Sequence, residues 1–190
     1  MTARAAHVFD LDGVVRDFGP GDVAPSIESA LGLPAGHLAA TAFRPDLVEP
    51  TITGRASFAQ WYAAICDALA ADLPDGAPVH DQMERWRAHR GTPVASTVAR
   101  IETLRQAGRR TYLFTNGTDH VPAELRQLGL DHLFDGVLNS AELGVAKPDP
   151  AAFAAAHRVI ETDLGRSVGP AEVWFTDDRP DNVVAATTFG

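Results

Sequence analysis

Read for its apolar positions, the chain changes rhythm twice. Residues 5–9, AAHVF, form an unbroken apolar run that ends in the polar stretch DLDG, the pattern of a buried strand running into a turn. From about residue 19 to 93 the apolar residues recur at helical spacing, between prolines and glycines. Ile27, Ala30 and Leu31 share a face, and Gly32 then Pro34 stop that helix. Phe58, Trp61, Tyr62, Ile65 and Leu69 make a longer stripe; Ser57 and Gln60 have capping-box spacing at its start, and Pro74 closes it. Val79, Met83 and Trp86 mark a further helix. No segment of this block reads as a strand. Its tryptophans and its stripe read as the core of a small helical bundle rather than as ligand contacts.

After Pro93 short apolar strands return, now alternating with helices. Val98, Ile101 and Leu104 predict a helix ended by Gly108, and TYLFTNG (111–117) is an apolar strand entering a polar turn. Leu125 and Leu128 belong to a helix, and GVLNS (136–140) is a strand. Asp149-Pro150 supplies an N-cap and a first-turn proline for a helix whose face is Phe153, Ala156 and Ile160. EVWFT (172–176) is a last strand, with a helix from Pro180 onward. Strands alternating with helices predict βαβ units and a parallel sheet. The expected fold is therefore α/β, a doubly wound parallel sheet built from residues 1–18 and 94–190, with 19–93 inserted as a helical unit.

Polar clusters follow these strands: Asp10 and Asp12 after the first, Thr115 and Asn116 after the second, Asp177 and Asp178 after the fourth. In an open parallel sheet, ligands bind at the carboxyl ends of the strands, so residues far apart in sequence converge there. Carboxylates gathered in one place repel unless a cation sits among them. A few oxygen ligands suit Mg2+, which keeps waters and shares its shell with phosphate. A calcium loop of the EF-hand kind fails on spacing. Counted from Asp10, Gly13 is fourth and Gly21 twelfth, where that loop needs glycine sixth and glutamate twelfth.

Composition narrows the function classes. A formal charge of −9 argues against nucleic acid or an anionic membrane as partner, and no apolar stretch approaches the roughly 20 residues of a membrane span. The first ten residues have no long apolar run, so no signal peptide is expected. The single cysteine, Cys66, excludes an internal disulfide and fits a reducing compartment, so a cytoplasmic location is expected. It reads as inert packing, and His7 as a satisfied core residue. Arg44 and Arg55 read as solvated surface rather than contacts to the far end of a substrate.

FDLDGV (9–14), FTNG (114–117), Lys147 in VAKPDP and FTDDRPDN (175–182) resemble, in order, the four motifs of the haloacid-dehalogenase-like hydrolase superfamily. The insertion resembles the helical cap of its first subfamily, and the last two motifs are similar to members acting on small sugar or lipid phosphates. The resemblance implies a Mg2+-dependent phosphatase. Asp10 would attack phosphorus to give an aspartyl-phosphate, and Asp12 would serve as acid and then base. Thr115 and the amide of Asn116 would hold phosphoryl oxygens, with Lys147 balancing charge. Asp10, Asp178 and the backbone carbonyl of Asp12 would bind the metal, supported by Asp177 and Asn182. Family members usually continue through another strand and helix where this sequence ends at residue 190.

Asp12 separates sister chemistries. The dehalogenases of the superfamily lack the second aspartate of the first motif, because a halide leaves without a proton. Its phosphonatases use a cap lysine, and residues 19–93 contain none. A sugar phosphomutase of the same fold and a non-catalytic regulatory member are the alternative readings. The expected partner is a small phosphorylated metabolite, with the protein as monomer or homodimer.

Overall fold

The computed structural model describes residues 5–19 and 21–190; residues 1–4, read above for a leader, lie outside them. The chain starts with β1 (Ala6–Phe9) and turns into the two-residue β2 (Arg16–Asp17). It then runs through α1 (Ala24–Leu31), α2 (His37–Ala42), α3 (Pro45–Ile52), α4 (Phe58–Ala71) and α5 (Val79–Ala88). It returns through β3 (Thr92–Pro93) to α6 (Ala95–Gln106), β4 (Arg110–Thr115), α7 (Val121–Leu128) and β5 (Gly136–Asn139). The last elements are α8 (Ser140–Leu143), α9 (Pro150–Leu164), β6 (Val173–Thr176) and α10 (Pro180–Phe189).

The four longer strands form a parallel sheet in the order β5-β4-β1-β6. The inner strands β4 and β1 are short and mostly apolar because both faces are covered, whereas at the edge strand β6 Trp174 is 54% exposed. Along β4, Leu113 faces a core with Ile101 of α6 and Leu125 of α7, while Tyr112 and Phe114 face the opposite core with Phe153 and Ile160 of α9. Helices therefore flank both faces of the sheet, the doubly wound α/β arrangement. Chain order reverses at β1: β4 and β5 lie on one side of it and β6 on the other, which opens a crevice at its carboxyl end.

The helices α1–α5 share a separate core of Ile27, Leu38, Trp61, Ile65, Leu69 and Met83. Ser57 and Gln60 close the capping box at the start of α4, as their spacing predicts. The start of α2 has no side-chain cap of its own. Buried Glu28 of α1 accepts from the Gly36 and Leu38 amides instead, at 3.0 and 2.8 Å, which places an anion at the helix N-terminus.

One strand was not foreseen in this region. β3 pairs antiparallel with β2, Arg16 opposite Pro93 and Asp17 opposite Thr92, so the outgoing and returning chain run side by side. A two-residue ladder containing a proline leaves no periodic signal. Phe58 N donates to Asp119 Oδ1 at 2.7 Å, and its ring stacks on His120 at 4.8 Å, fastening α4 to the loop after β4.

Candidate active site

Strand register explains which residues meet. Phe9 lies opposite Leu113 on one side and Thr176 on the other. The residues just beyond, Asp10 and Asp177, therefore leave the sheet at the edge where β4 ends in Thr115. Asp10 N extends the ladder by donating to Thr176 O at 2.9 Å, which fixes its backbone as an extension of the strand.

Asp10 is 8% exposed. Its Oδ1 accepts from Lys147 Nζ at 2.9 Å, and the same ammonium donates to Asp177 Oδ2 at 2.6 Å and to Phe114 O at 2.8 Å. Lys147 is itself buried, and its position is held by its own backbone. Asn116 Nδ2 donates to Lys147 O, and Lys147 N donates to Asn116 Oδ1, at 2.7 and 2.8 Å. The Asn116 side chain thus clamps the lysine segment, a role that its place in the second motif did not disclose.

Asn182, in the first turn of α10, donates from Nδ2 to both oxygens of Asp177 at 3.0 Å. Burial pushes the Asp10 carboxyl up to about 6; the Lys147 ammonium pulls it down, and the neighbouring Asp177 adds to the rise.

Asp10, Asp177 and Asp178 each offer a carboxylate oxygen within 4.8 Å of the others. Three carboxylates against one ammonium leave a double negative charge when all are ionised, the complement of a divalent cation. Asn182 Oδ1 is buried and has no donor among the described residues, a place that a water on a metal ion would fill. The donor set is oxygen only, which suits Mg2+. Gly13 lets this cluster form: its φ is +80°, and a Cβ there would collide with the Asp178 carboxylate.

Asp12 stands at the rim with half its side chain exposed, and Arg16 Nε donates to its Oδ1 at 2.7 Å. Arg16 is buried, and its Nη1 donates to Glu124 Oε2 at 2.7 Å. This anchor was missed in the sequence. An arginine four residues after Asp12, inside an otherwise apolar turn, was the available signal.

Asp10, Asp12, Thr115, Asn116, Lys147, Asp178 and Asn182 all line one cleft of about 270 Å³, together with Arg179. Asp177 lies behind it, its side chain fully covered. Other expectations fare differently. Arg44 pairs with Asp46, and Arg55 donates to Thr53 Oγ1, both at the surface. His7 is half-buried on β1 rather than in the core. Cys66 packs against the helical core, and burial pushes its thiol up.

The model of the family described as haloacid dehalogenase-like hydrolase matches residues 5–190. The chain belongs to that family. Among curated members, phosphatase MT3486 of Mycobacterium tuberculosis (strain CDC 1551 / Oshkosh) is 30% identical over 98% of this chain and 84% of its own length. Bifunctional epoxide hydrolase 2 of Mus musculus is 27% identical over the whole of this chain, which spans only 36% of that protein. Among solved structures, L-2-haloacid dehalogenase from Xanthobacter autotrophicus superposes with a TM-score of 0.66 at 26% identity, covering 98% of this chain and 75% of its own. Haloacid dehalogenase-like hydrolases with phosphatase and with dehalogenase names are thus both similar to this one. No helix among the described residues is long and apolar enough to cross a membrane.

Proposed function

We propose that the protein is a Mg2+-dependent phosphomonoester hydrolase working through an aspartyl-phosphate on Asp10. The observation that carries this reading is Asp12, a second carboxylate two residues after the nucleophile and lining the same cleft. A halide departs without a proton, whereas an alkoxide needs one.

Electrostatics supports the same reading. A carboxylate approaching a phosphate dianion meets two negative charges, each costing about 4 kcal/mol at roughly 4 Å and an effective dielectric near 20. Lys147 offsets part of that cost from behind Asp10. Asp10, Asp178 and the Asp12 carbonyl would hold Mg2+, which would supply the remaining charge neutralisation.

Asp10 attacks phosphorus and the bond to the ester oxygen breaks. Asp12 gives its proton to the departing alkoxide. Asp12, now ionised, takes a proton from water as that water attacks the aspartyl-phosphate, releasing Asp10 and inorganic phosphate. Thr115 and the Asn116 amide hold phosphoryl oxygens, and residues 19–93 act as the cap over the cleft.

The test sets phosphate release against halide release. With Mg2+, p-nitrophenyl phosphate should yield phosphate, a chelator should stop it, and 2-chloropropionate should yield no chloride. Chloride release without phosphate release would reverse the assignment.

A further inference from the structure

The catalytic cleft opens into a larger hollow of about 640 Å³ between the sheet edge and the helices α1–α5. Asp12, Thr115, Asn116 and Arg179 line both spaces. The hollow therefore starts beside the acid, where the alcohol half of an ester on Asp10 lies.

Its wall is carbon. Phe43, Phe58, Trp61 and Trp86 contribute rings, with Leu38 and Ile52 beside them. Trp61 has spent its one polar atom, Nε1 donating to Ala42 O at 2.9 Å, and its ring lies 5.7 to 6.1 Å from those of Trp86, Phe58 and Phe43. Phe43 is 60% exposed. Its ring joins those of Phe58, Trp61 and Trp86 in one apolar part of the lining, and a contiguous exposed apolar surface of this kind marks a ligand-binding groove. The aromatic stripe read from the sequence as core alone thus serves two purposes: one side packs the helices, the other faces the hollow.

The arginines around the hollow have acidic partners within the protein. Arg16 pairs with Asp12 and Glu124, Arg87 with Glu84, and Arg179 with Asp181, while Arg90 donates to Gln127 Oε1 and lies 4.0 Å from Glu124. A second anionic group on a substrate would compete with these carboxylates for the arginines, whereas a hydrocarbon group displaces only water.

We propose that the substrate is the phosphomonoester of an apolar aliphatic alcohol, whose hydrocarbon fills this hollow. The inference rests on the phosphatase reading for the position of the phosphate, and narrows its substrate class.

Ethyl, butyl, hexyl and octyl phosphate, assayed with Mg2+ beside 2-phosphoglycolate and glycerol 1-phosphate, test it. The alkyl esters share nearly one leaving-group basicity, so chain length reports binding alone. kcat/KM should rise by up to about fourfold per buried methylene, through a falling KM. The two polar esters should do no better than ethyl phosphate, and Phe43→Ser should flatten the series. In parallel, ethyl- and octylphosphonate, which cannot be hydrolysed, are titrated against tryptophan fluorescence in a Trp174→Phe background, which leaves Trp61 and Trp86 as the reporters.

A flat or falling alkyl series, with ethyl phosphate still hydrolysed, overturns the apolar substrate and leaves the phosphatase standing. No phosphate from any ester, with octylphosphonate binding more tightly than ethylphosphonate, overturns the phosphatase and leaves the apolar site. Neither turnover nor length-dependent binding overturns both.

Discussion

Around the Lys147 ammonium stand Asp10 Oδ1, Phe114 O and Asp177 Oδ2, at 2.9, 2.8 and 2.6 Å, with the Phe114 and Phe175 rings 5.0 and 5.4 Å from it. Three acceptors around one buried nitrogen match the three protons of an ammonium. A planar guanidinium is wider and aims its donors in a fixed fork. The composition is consistent: of 16 basic residues, Lys147 is the single lysine. Lys147→Arg should keep the charge yet lose on the order of 10²-fold in turnover, since about 1 Å of displacement in a closed site costs that much. Composition alone suggests a normally folded variant. Burial adds an overpacking cost of about 1–3 kcal/mol, so its melting temperature should fall as well. Wild-type turnover would show that the ammonium does not act on the phosphate.

Asp10 gives the pH dependence. Its folded carboxyl holds a proton up to about 6, mainly because the site is buried, while the unfolded group ionises in the ordinary carboxylate range. The folded chain therefore binds more protons between about pH 4 and 6, and the metal-free protein loses stability through this group as pH rises across that window. Asp10→Asn removes the titration, and Lys147 keeps Asp177 as its partner. In chelator, the variant should gain on wild type by an amount growing between pH 4.5 and 7, on the order of 2 kcal/mol in all. A gap constant with pH would mean that Asp10 is ionised throughout. The same variant should release no phosphate.

At the scale of elements, the turn after β1 does most to build the site. Gly13 takes φ +80°, and its missing Cβ leaves space for the Asp178 carboxylate from beyond β6. Gly13→Ala should cost about 1–2 kcal/mol for the left-handed backbone and, separately, displace Asp178. Mg2+ affinity should then fall by more than global stability does, as calorimetric titration and thermal melts together would show. Unchanged Mg2+ affinity would remove Asp178 from the metal shell.

The sheet strands were legible because uninterrupted apolar runs such as Val8–Phe9 and Leu113–Phe114 are buried on both faces. The carboxylate cluster was legible because parallel strands deliver their ends to one edge. The β2–β3 ladder was not, since two residues show no period. Nor was the Asn116 clamp, because its partner at Lys147 lies 31 residues away. The hollow beside the cleft is assembled from segments between Leu11 and Arg179, so no local pattern announces it.

Taken as a whole, the molecule carries a net charge of −9, and a divalent cation finds acidic surface in many places. Specific binding must be separated from this background. The proposed ligands come from opposite ends of the chain, Asp10 after β1 and Asp178 after β6, so the ion can find them together only in the folded state. Such binding stabilises by mass action: about 2.7 kcal/mol at 100 times the dissociation constant, or roughly 5–10 °C for a domain of this size. Ca2+ should also raise the melting temperature, because it takes the same oxygens. It should nevertheless inhibit, since its larger and looser shell holds Asp10 away from an in-line approach to phosphorus. Asp178→Asn separates site from background. Asp178 is exposed, and its loss relieves repulsion with Asp10 and Asp177, so the metal-free melting temperature should stay near wild type. The Mg2+-induced rise and the phosphate release should both disappear. A variant that still gains its full thermal shift would place the ion elsewhere on the acidic surface and leave the carboxylate cluster without its metal.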